Sequence, residues 1–271
     1  MAKDTTKYTR ENFRSSLLKK IIIRFDFTSV TDIASTVKLL LPNLAEYFFT
    51  KNELITNNYN LTLTPSDIKA GSIPINVSEP VKIFRFTESK IKPIQEATLD
   101  ISSAFICLDM NCDDNYDSID SYLNMISAIV GGVLNSDSFT TLTRIGLRKI
   151  DGQDFDNISE AKQVFENVKD FTEPIEGIRP LQNNSTMVLV DTNKRVQINY
   201  TRSTHLLDKD IIRAVVDIDA YIENENLKGY ERADEKTIKQ LLSSTNDLLF
   251  DLFKYSVTEA FLKEGVVSTE L

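Results

Sequence analysis

The sequence predicts an α+β fold, built as two lobes of largely antiparallel sheet that are each covered by a long helix. Short segments rich in β-branched residues alternate apolar with polar side chains, as strands with one buried face do. These segments cluster ahead of the long helical stretches instead of alternating with them singly. The order of three strands followed by a long helix occurs in both halves of the 271 residues, which is why we expect two lobes.

The first half begins with a strand over residues 18–27, which is β-branched and then alternating. Thr31 and Asp32 cap a helix that Pro42 kinks or restarts and whose apolar face runs on to Phe49. Residues 50–80 are polar and predict one or two strands with long loops. The remaining elements of this half are strands over 81–86, 97–101 and 104–110, a helix over 117–136, a strand over 139–150 and a turn over 151–157.

The second half repeats this order. It contains a short amphipathic helix over 159–168, a hairpin of strands 186–191 and 196–202 around the turn residues 192–195, a strand over 211–222 and a helix over 234–263 that ends at Gly265. This last helix is apolar on more than one face, so it must be buried on two sides. We expect its second face to lie between the lobes, with contact to another chain as the alternative.

The chain is therefore predicted to divide into three parts. These are a basic N-terminal arm (1–17), an N-terminal α+β lobe (18–155) and a C-terminal α+β lobe (156–271) that ends in the long helix. A Pro-containing stretch near 171–180 is the expected linker between the lobes.

Charge is distributed unevenly along the chain. Thirty-one Lys and Arg against forty Asp and Glu give a net charge of −9, which argues against non-specific binding to nucleic acid or anionic membranes. Residues 1–24 nevertheless hold seven basic and two acidic side chains, a net of +5 that leaves −14 for the rest. The arm is expected to be either a solvated tail or a contact for an acidic partner, such as the body of a second copy.

Composition excludes several classes of protein. An apolar fraction of 41% and a charged fraction of 26% are ordinary for a globular protein, and no run of 18 apolar residues predicts a membrane span. With no apolar signal segment near the start and only Cys107 and Cys112, we expect a cytoplasmic protein without a disulfide framework. The eight glycines form no P-loop and no G-x-G-x-x-G, so no cofactor is predicted.

Two predicted strands carry the most informative pattern. Arg144 and Arg148 share one strand face with Gly146 between them, and Asp217 and Asp219 share one face of a later strand. If these strands are neighbours, the guanidinium groups can pair with the carboxylates across the sheet. The four side chains then form either a floor that binds an anion or a nucleotide between the lobes, or a structural ion-pair ladder that ties the lobes together. A divalent metal at the two aspartates is a weaker alternative.

An acidic stretch resembles a calcium-binding EF-hand loop in part. Oxygen-bearing side chains fall at five of the loop's ligand positions: Asp109, Asn111, Asp113, Asp117 and Asp120. Against a metal site, Asp114 stands where a glycine must make the sharp turn, and a strand precedes the loop where the motif has a helix. The alternative interpretation is an acidic loop that caps the next helix.

No catalytic residue is predicted. The single imidazole, His205, follows a predicted strand without a G-x-S-x-G or cysteine-protease context, which indicates a surface residue. Cys107 lies in an apolar strand and is expected to belong to the core.

The segment Gly146-Leu147-Arg148-Lys149-Ile150-Asp151 resembles a G-L-R-Y-I-N-like strand motif. That motif occurs in a sporadically distributed prokaryotic protein family of unknown function, whose members have about this length. An L-x-I-D-like strand before the last helix also resembles that family, and here it is residues 215–219. The resemblance covers most of residues 18–264 and implies this layout of elements, but no catalytic role and no cofactor.

Three function classes remain. The favoured one is a non-enzymatic interaction protein that recognises another macromolecule, with self-association as a further option and phage–host conflict as the setting that the sporadic family suggests. The second is an enzyme or sensor for an anionic metabolite or nucleotide, with Arg144, Arg148, Asp217 and Asp219 lining a cleft. The third is an acidic mimic of nucleic acid, or a protein that meets nucleic acid through its basic arm.

Overall fold

The largest feature of the computed structural model is one nine-stranded sheet in which every neighbouring pair is antiparallel. The structure describes residues 6–10, 13, 17–56, 59–61, 75–77, 81–90, 92, 94, 96–112, 119–171, 180–207 and 211–265. The mixed α+β class and the large antiparallel sheet that the sequence predicts are confirmed.

The strands in chain order are β1 (Leu18–Phe27), β2 (Phe48–Thr56), β3 (Tyr59–Leu61), β4 (Ile75–Val77), β5 (Val81–Ser89), β6 (Ala97–Ser102), β7 (Phe105–Asn111), β8 (Leu142–Phe155), β9 (Gln182–Asp191), β10 (Val196–Leu206) and β11 (Ile212–Glu223). The described helices are α1 (Ile33–Tyr47), α2 (Asp120–Ser136), α3 (Ile158–Val164), α4 (Glu235–Ser256) and α5 (Glu259–Glu264). The large sheet has the order β2-β5-β6-β7-β1-β8-β11-β10-β9, and β3 pairs with β4 separately.

The division into two lobes, each with its own sheet, is not confirmed. The strands of both halves form one continuous sheet, because β8 of the first half pairs with β11 of the second from Arg144↔Glu223 to Phe155↔Ile212. The first strand of the chain, β1, lies near the centre, between β7 and β8. Backbone hydrogen bonds therefore join the predicted lobes along twelve residue pairs, which leaves no cleft between two separate sheets.

The two faces of the sheet differ in burial. Along β11 the even-numbered residues from Ile212 to Ile222 are all buried, whereas the residues between them stay partly exposed. The same alternation runs through β1, where Ile21, Ile23 and Phe25 are fully buried. We call the partly exposed side, which carries the odd-numbered residues of β11, the open face. The buried side packs into the core, where α4 contacts both β8 and β11.

Side-chain caps begin four of the described helices. The carboxylates of Asp32 and Asp234 accept hydrogen bonds from the Ser35 and Thr237 amides, at 3.0 and 2.8 Å. Asn157 caps α3 in the same way, and the Thr258 hydroxyl caps α5. The cap that the sequence predicts at Asp32 is thus confirmed.

Close helix packing explains the Gly131-Gly132 step of α2. A Cβ on Gly131 would lie 2.8 Å from Cγ of Glu235 on α4, and one on Gly132 would lie 2.6 Å from Cδ2 of Leu40 on α1. The two glycines therefore let α2 approach a neighbour on each side. Among the helices in the described part of the chain, none combines the length and the apolar character that crossing a bilayer requires.

Several predicted boundaries are wrong, and in three of these cases packing or pairing outweighs a local signal. The predicted turn over 151–157 is strand as far as Phe155, since β11 pairs with it to that point. The predicted helix over 234–263 is interrupted after Ser256, because Val257 forms a bridge to Phe165 and Thr258 starts a new helix. The first helix ends at Tyr47, because the next residue, Phe48, starts β2 and pairs with β5.

Candidate functional site

The structure brings together the four residues that the sequence singles out. Arg148 donates two parallel hydrogen bonds to Asp217, from Nε at 2.8 Å and from Nη2 at 2.5 Å. Arg144 donates one to Asp219, from Nη2 at 3.0 Å. All four side chains lie on the open face, where neighbouring strands β8 and β11 present them. The predicted pairing across the sheet is therefore present.

The glycine between the two arginines does not leave an empty floor. The Arg144 side chain folds back over it, so that Nε lies 3.6 Å from the place where a Cβ on Gly146 would be. The same guanidinium group stacks on the Tyr221 ring, 4.6 Å from its centroid. Gly146 thus makes room for Arg144 itself, and the four residues form a closed ladder, not a cleft.

Electrostatics support the ladder. The hydrogen bonds that Arg148 donates to Asp217 raise the pKa of the Arg148 guanidinium, so this group stays charged. Burial raises the pKa of Asp219, because the desolvation of this carboxylate outweighs the attraction of Arg144 and Arg148. Nε of Arg144 is buried and has no hydrogen-bond partner among the described residues. An anion that bound here would have to displace a carboxylate that is already in contact.

These pairs belong to a larger set on the open face. Six basic side chains of β1, β5, β8 and β11 each contact a carboxylate on the same face, and the shortest N–O distances are 2.5 to 3.0 Å. The pairs are Lys20–Asp109, Arg24–Asp26, Arg85–Asp100, Arg144–Asp219, Arg148–Asp217 and Arg213–Asp154. The open face therefore carries many charges, but a carboxylate on the same face neutralises each of these six basic groups. The sequence predicts two of these pairs on the condition that β8 and β11 are neighbours. Arg24 and Asp26 lie two residues apart in β1, and the other three pairs join different strands, so they require knowledge of the strand order.

Cys107 lies on the open face, not in the core as the sequence predicts. It is paired with Arg24 in the β1–β7 ladder and is only partly buried. Burial raises the pKa of its thiol to about 11, because the cost of desolvating the thiolate outweighs its attraction to Arg24. The thiol is therefore protonated at neutral pH and is a poor nucleophile. Cys112 is fully buried.

The candidate metal ligands do not come together where the structure describes them. Asp109 pairs with Lys20, and Asn111 donates to Glu96 at 2.9 Å. Asp120 is the first residue of α2, while Asp113 and Asp117 lie outside the described residues. Across the described ranges, no three His, Cys, Asp or Glu side chains form a group that could hold a metal ion. His205 lies within β10, and not after a strand as predicted.

The described part of the predicted basic arm packs on the C-terminal helices. Phe13 is buried, and its ring centroid lies 5.8 to 6.1 Å from those of Phe250, Phe253 and Phe261. Arg10 pairs with Asp247 at 2.8 Å. This segment therefore covers the second apolar face of α4, which the sequence predicts to lie between lobes. The sequence indicates that a basic segment could contact an acidic partner, and in the structure Arg10 contacts an acidic residue of this chain itself.

Sequence reasoning missed a buried pair of opposite charges on the core side of β8. Lys149 and Asp151 are only 8% and 6% exposed. Burial lowers the pKa of Lys149 to about 8 and raises that of Asp151 to about 7, in spite of their mutual attraction. Both residues stand in the alternating pattern at positions that face the core, and this was the signal that could have revealed them.

A surface pocket of about 440 Å³ lies away from these residues, between the end of α2 and the start of α4. Arg232 lines it and donates to four backbone carbonyls, those of Leu134, Asp137, Ser138 and Thr140. The guanidinium group thus caps the C-terminal end of α2. Because the guanidinium N–H groups of Arg232 already bond to these carbonyls, this arginine stabilises the fold and is not free to bind a ligand in the pocket.

Comparisons with protein families and with curated proteins give no match to this chain. The family resemblance of residues 146–151 accordingly stays a prediction.

Proposed function

We propose that this chain is a non-enzymatic binding protein that docks a folded protein partner on the open face of its sheet. The observation that carries the proposal is the set of six ion pairs, which presents charged groups in fixed positions on a partly exposed face. Such a face can form directional hydrogen bonds with a protein partner. Because its charges are paired, it produces only a weak net electrostatic field.

The size of the face supports a protein partner. Nine strands at about 4.8 Å spacing make a sheet about 38 Å wide, and strands of nine or ten residues are about 30 Å long. A specific protein–protein interface needs about 800 Å² on each partner. The open face has room for one such interface.

The chemistry of the face favours protein over nucleic acid. Its basic groups are matched by carboxylates, so the long-range attraction on which phosphate binding depends is weak. Two arginines are held against aromatic rings: Arg24 lies 4.7 Å from the centroid of Phe105, as Arg144 does at 4.6 Å from that of Tyr221. Pre-ordered arginines and aromatic side chains are the residues that dominate protein interfaces. The balanced charge also gives no support to mimicry of nucleic acid on this face.

Phage–host conflict is the setting that we propose for such a partner, because the resembled family is sporadically distributed. For the alternative of an enzyme or sensor for an anionic ligand, the site offers no specific support, since Arg144 and Arg148 are engaged by Asp219 and Asp217.

Thr201→Trp tests the proposal. Thr201 lies on the open face of β10 beside Asp217, and the substitution adds bulk without charge. The matched control is Gln240→Trp on the exposed surface of α4. In affinity capture from native lysate with quantitative mass spectrometry, we expect a stoichiometric protein partner for the wild type and for the control, and its loss for Thr201→Trp. A partner that all three proteins retain equally would contradict docking on the open face, and capture of no partner would contradict the function itself.

A further inference from the structure

Strand β9 forms one end of the nine-stranded sheet, and its outer edge has no partner strand among the described residues. It is ten residues long and pairs with β10 in an unbroken register from Gln182↔His205 to Asp191↔Val196. We propose that this edge is a homodimer interface, at which β9 of a second copy adds in antiparallel orientation and extends the sheet. This proposal is independent of the one for the open face.

The backbone hydrogen-bonding groups of β9 point alternately to β10 and to the free edge of the sheet. The amide of Leu206 donates to the Leu181 carbonyl at 2.9 Å, so odd-numbered residues of this strand bond inward to β10. Because inward and outward groups alternate along an antiparallel strand, the even-numbered residues from Gln182 to Val190 direct their N–H and C=O groups to the free edge. Two copies related by a two-fold axis present these donors and acceptors to each other.

The edge lacks the features that normally prevent strand addition. Residues 182–190 contain no proline and no charged side chain, and the pairing with β10 has no bulge. Val188 and Val190 are 68% and 57% exposed on this strand. The opposite edge strand, β2, differs because it carries Lys51 and Glu53.

The distribution of charge indicates that the partner at this edge is a second copy of the chain. Each chain has a net charge of −9, so two copies repel each other at most relative orientations. Over residues 182–190 neither copy carries a charged side chain, so the two chains can approach here without placing like charges opposite each other. The uncharged and apolar side chains of one β9 then meet the same set on the other.

The test combines molar mass with amide exchange. Light scattering after size exclusion is expected to give twice the 30.8 kDa chain mass for the wild type. Val188→Lys, which places a charge on the edge, is expected to give the monomer mass. Thr186→Pro is expected to do the same, because it removes an outward N–H and leaves the inward bonds to β10 intact. The matched control is Ile55→Lys, which changes an exposed β-branched residue of β2 and should remain dimeric.

Hydrogen exchange tests whether the outer edge of β9 is the dimer interface. We expect the amides of Asn184, Thr186 and Val188 to exchange more than about tenfold slower in the wild type than in Val188→Lys. Those of Ser185, Met187 and Leu189 should stay protected in both, because they bond to β10. A monomeric wild type at its highest soluble concentration would overturn the proposal, as would a dimer whose even-numbered β9 amides exchange fast. If both variants fail to fold, the molar mass and the amide exchange pattern of the wild type are sufficient to test the proposal.

Discussion

Arg148 bonds to Asp217 and not to Asp219, the residue that lies directly opposite it in the β8–β11 ladder. Arg144, which lies opposite Glu223, likewise reaches along the sheet to Asp219. Both arginines therefore lean in the same direction and bond diagonally. Gly146 makes this stagger possible, because the Arg144 side chain passes over it.

The Arg148–Asp217 pair is expected to contribute little to stability. The Arg148 side chain is 42% exposed, so solvent screens most of the attraction in spite of the bidentate geometry. In a double-mutant cycle of Arg148→Met and Asp217→Asn, followed by urea unfolding, we expect a coupling free energy of about 0.5–1 kcal/mol. A coupling above about 3 kcal/mol would instead place this pair among the main supports of the fold.

Phe13 is expected to anchor the N-terminal segment to α4 and α5. Phe13→Ala removes a buried ring that contacts three others, so the free energy of unfolding should fall by about 3 kcal/mol. The control is Phe139→Ala, a change at a ring that is 91% exposed, for which we expect less than about 0.5 kcal/mol. Limited proteolysis should cut the segment before Leu17 faster in Phe13→Ala only. Equal proteolysis of the two variants would show that the segment is held by other contacts.

Asp151 is expected to make stability depend on pH below neutrality. Burial raises its pKa to about 7, so the folded state retains this proton where an unfolded aspartate, with a pKa near 4, has released it. The folded protein then binds more protons between about pH 4 and 7, and its free energy of unfolding falls as the pH rises through that interval.

Asp151→Asn removes this titration. Relative to the variant, the wild type should lose about 3 kcal/mol between pH 4 and 7, measured by urea unfolding at each pH. Asp154→Asn serves as the control, because Asp154 is exposed and its hydrogen bond with Arg213 lowers its pKa. A difference between wild type and Asp151→Asn that does not change with pH would show that this carboxyl titrates normally.

Asn246 is expected to weaken the core. Its side chain on α4 is fully buried, and neither Nδ2 nor Oδ1 has a hydrogen-bond partner within the described ranges. Asn246→Leu removes the cost of burying an unpaired amide, so the free energy of unfolding should rise by about 1 kcal/mol. Gln240→Leu on the exposed surface of the same helix should change it by less than about 0.5 kcal/mol. Destabilisation by Asn246→Leu would indicate that the amide has a bonded partner, such as an internal water.

Features that depend on near neighbours in the chain could be predicted from the sequence alone. Alternation placed Arg144 with Arg148 and Asp217 with Asp219 on single strand faces, because side chains on a strand repeat every two residues. The capping carboxylate of Asp32 and the turn at 192–195 were equally local, and both are in the structure. The existence of most strands could be read in the same way.

The order of the strands in the sheet could not be predicted from the sequence. That β1 lies between β7 and β8, and that β8 pairs with β11, depends on how the whole chain buries its apolar faces, and no local pattern encodes that choice. The same holds for the docking of Phe13 on α4. Alternation indicates that Lys149 and Asp151 face the core, but only the assembled molecule shows how completely they are buried. The periodicity of side chains is a property of one segment, whereas burial is a property of the assembled molecule.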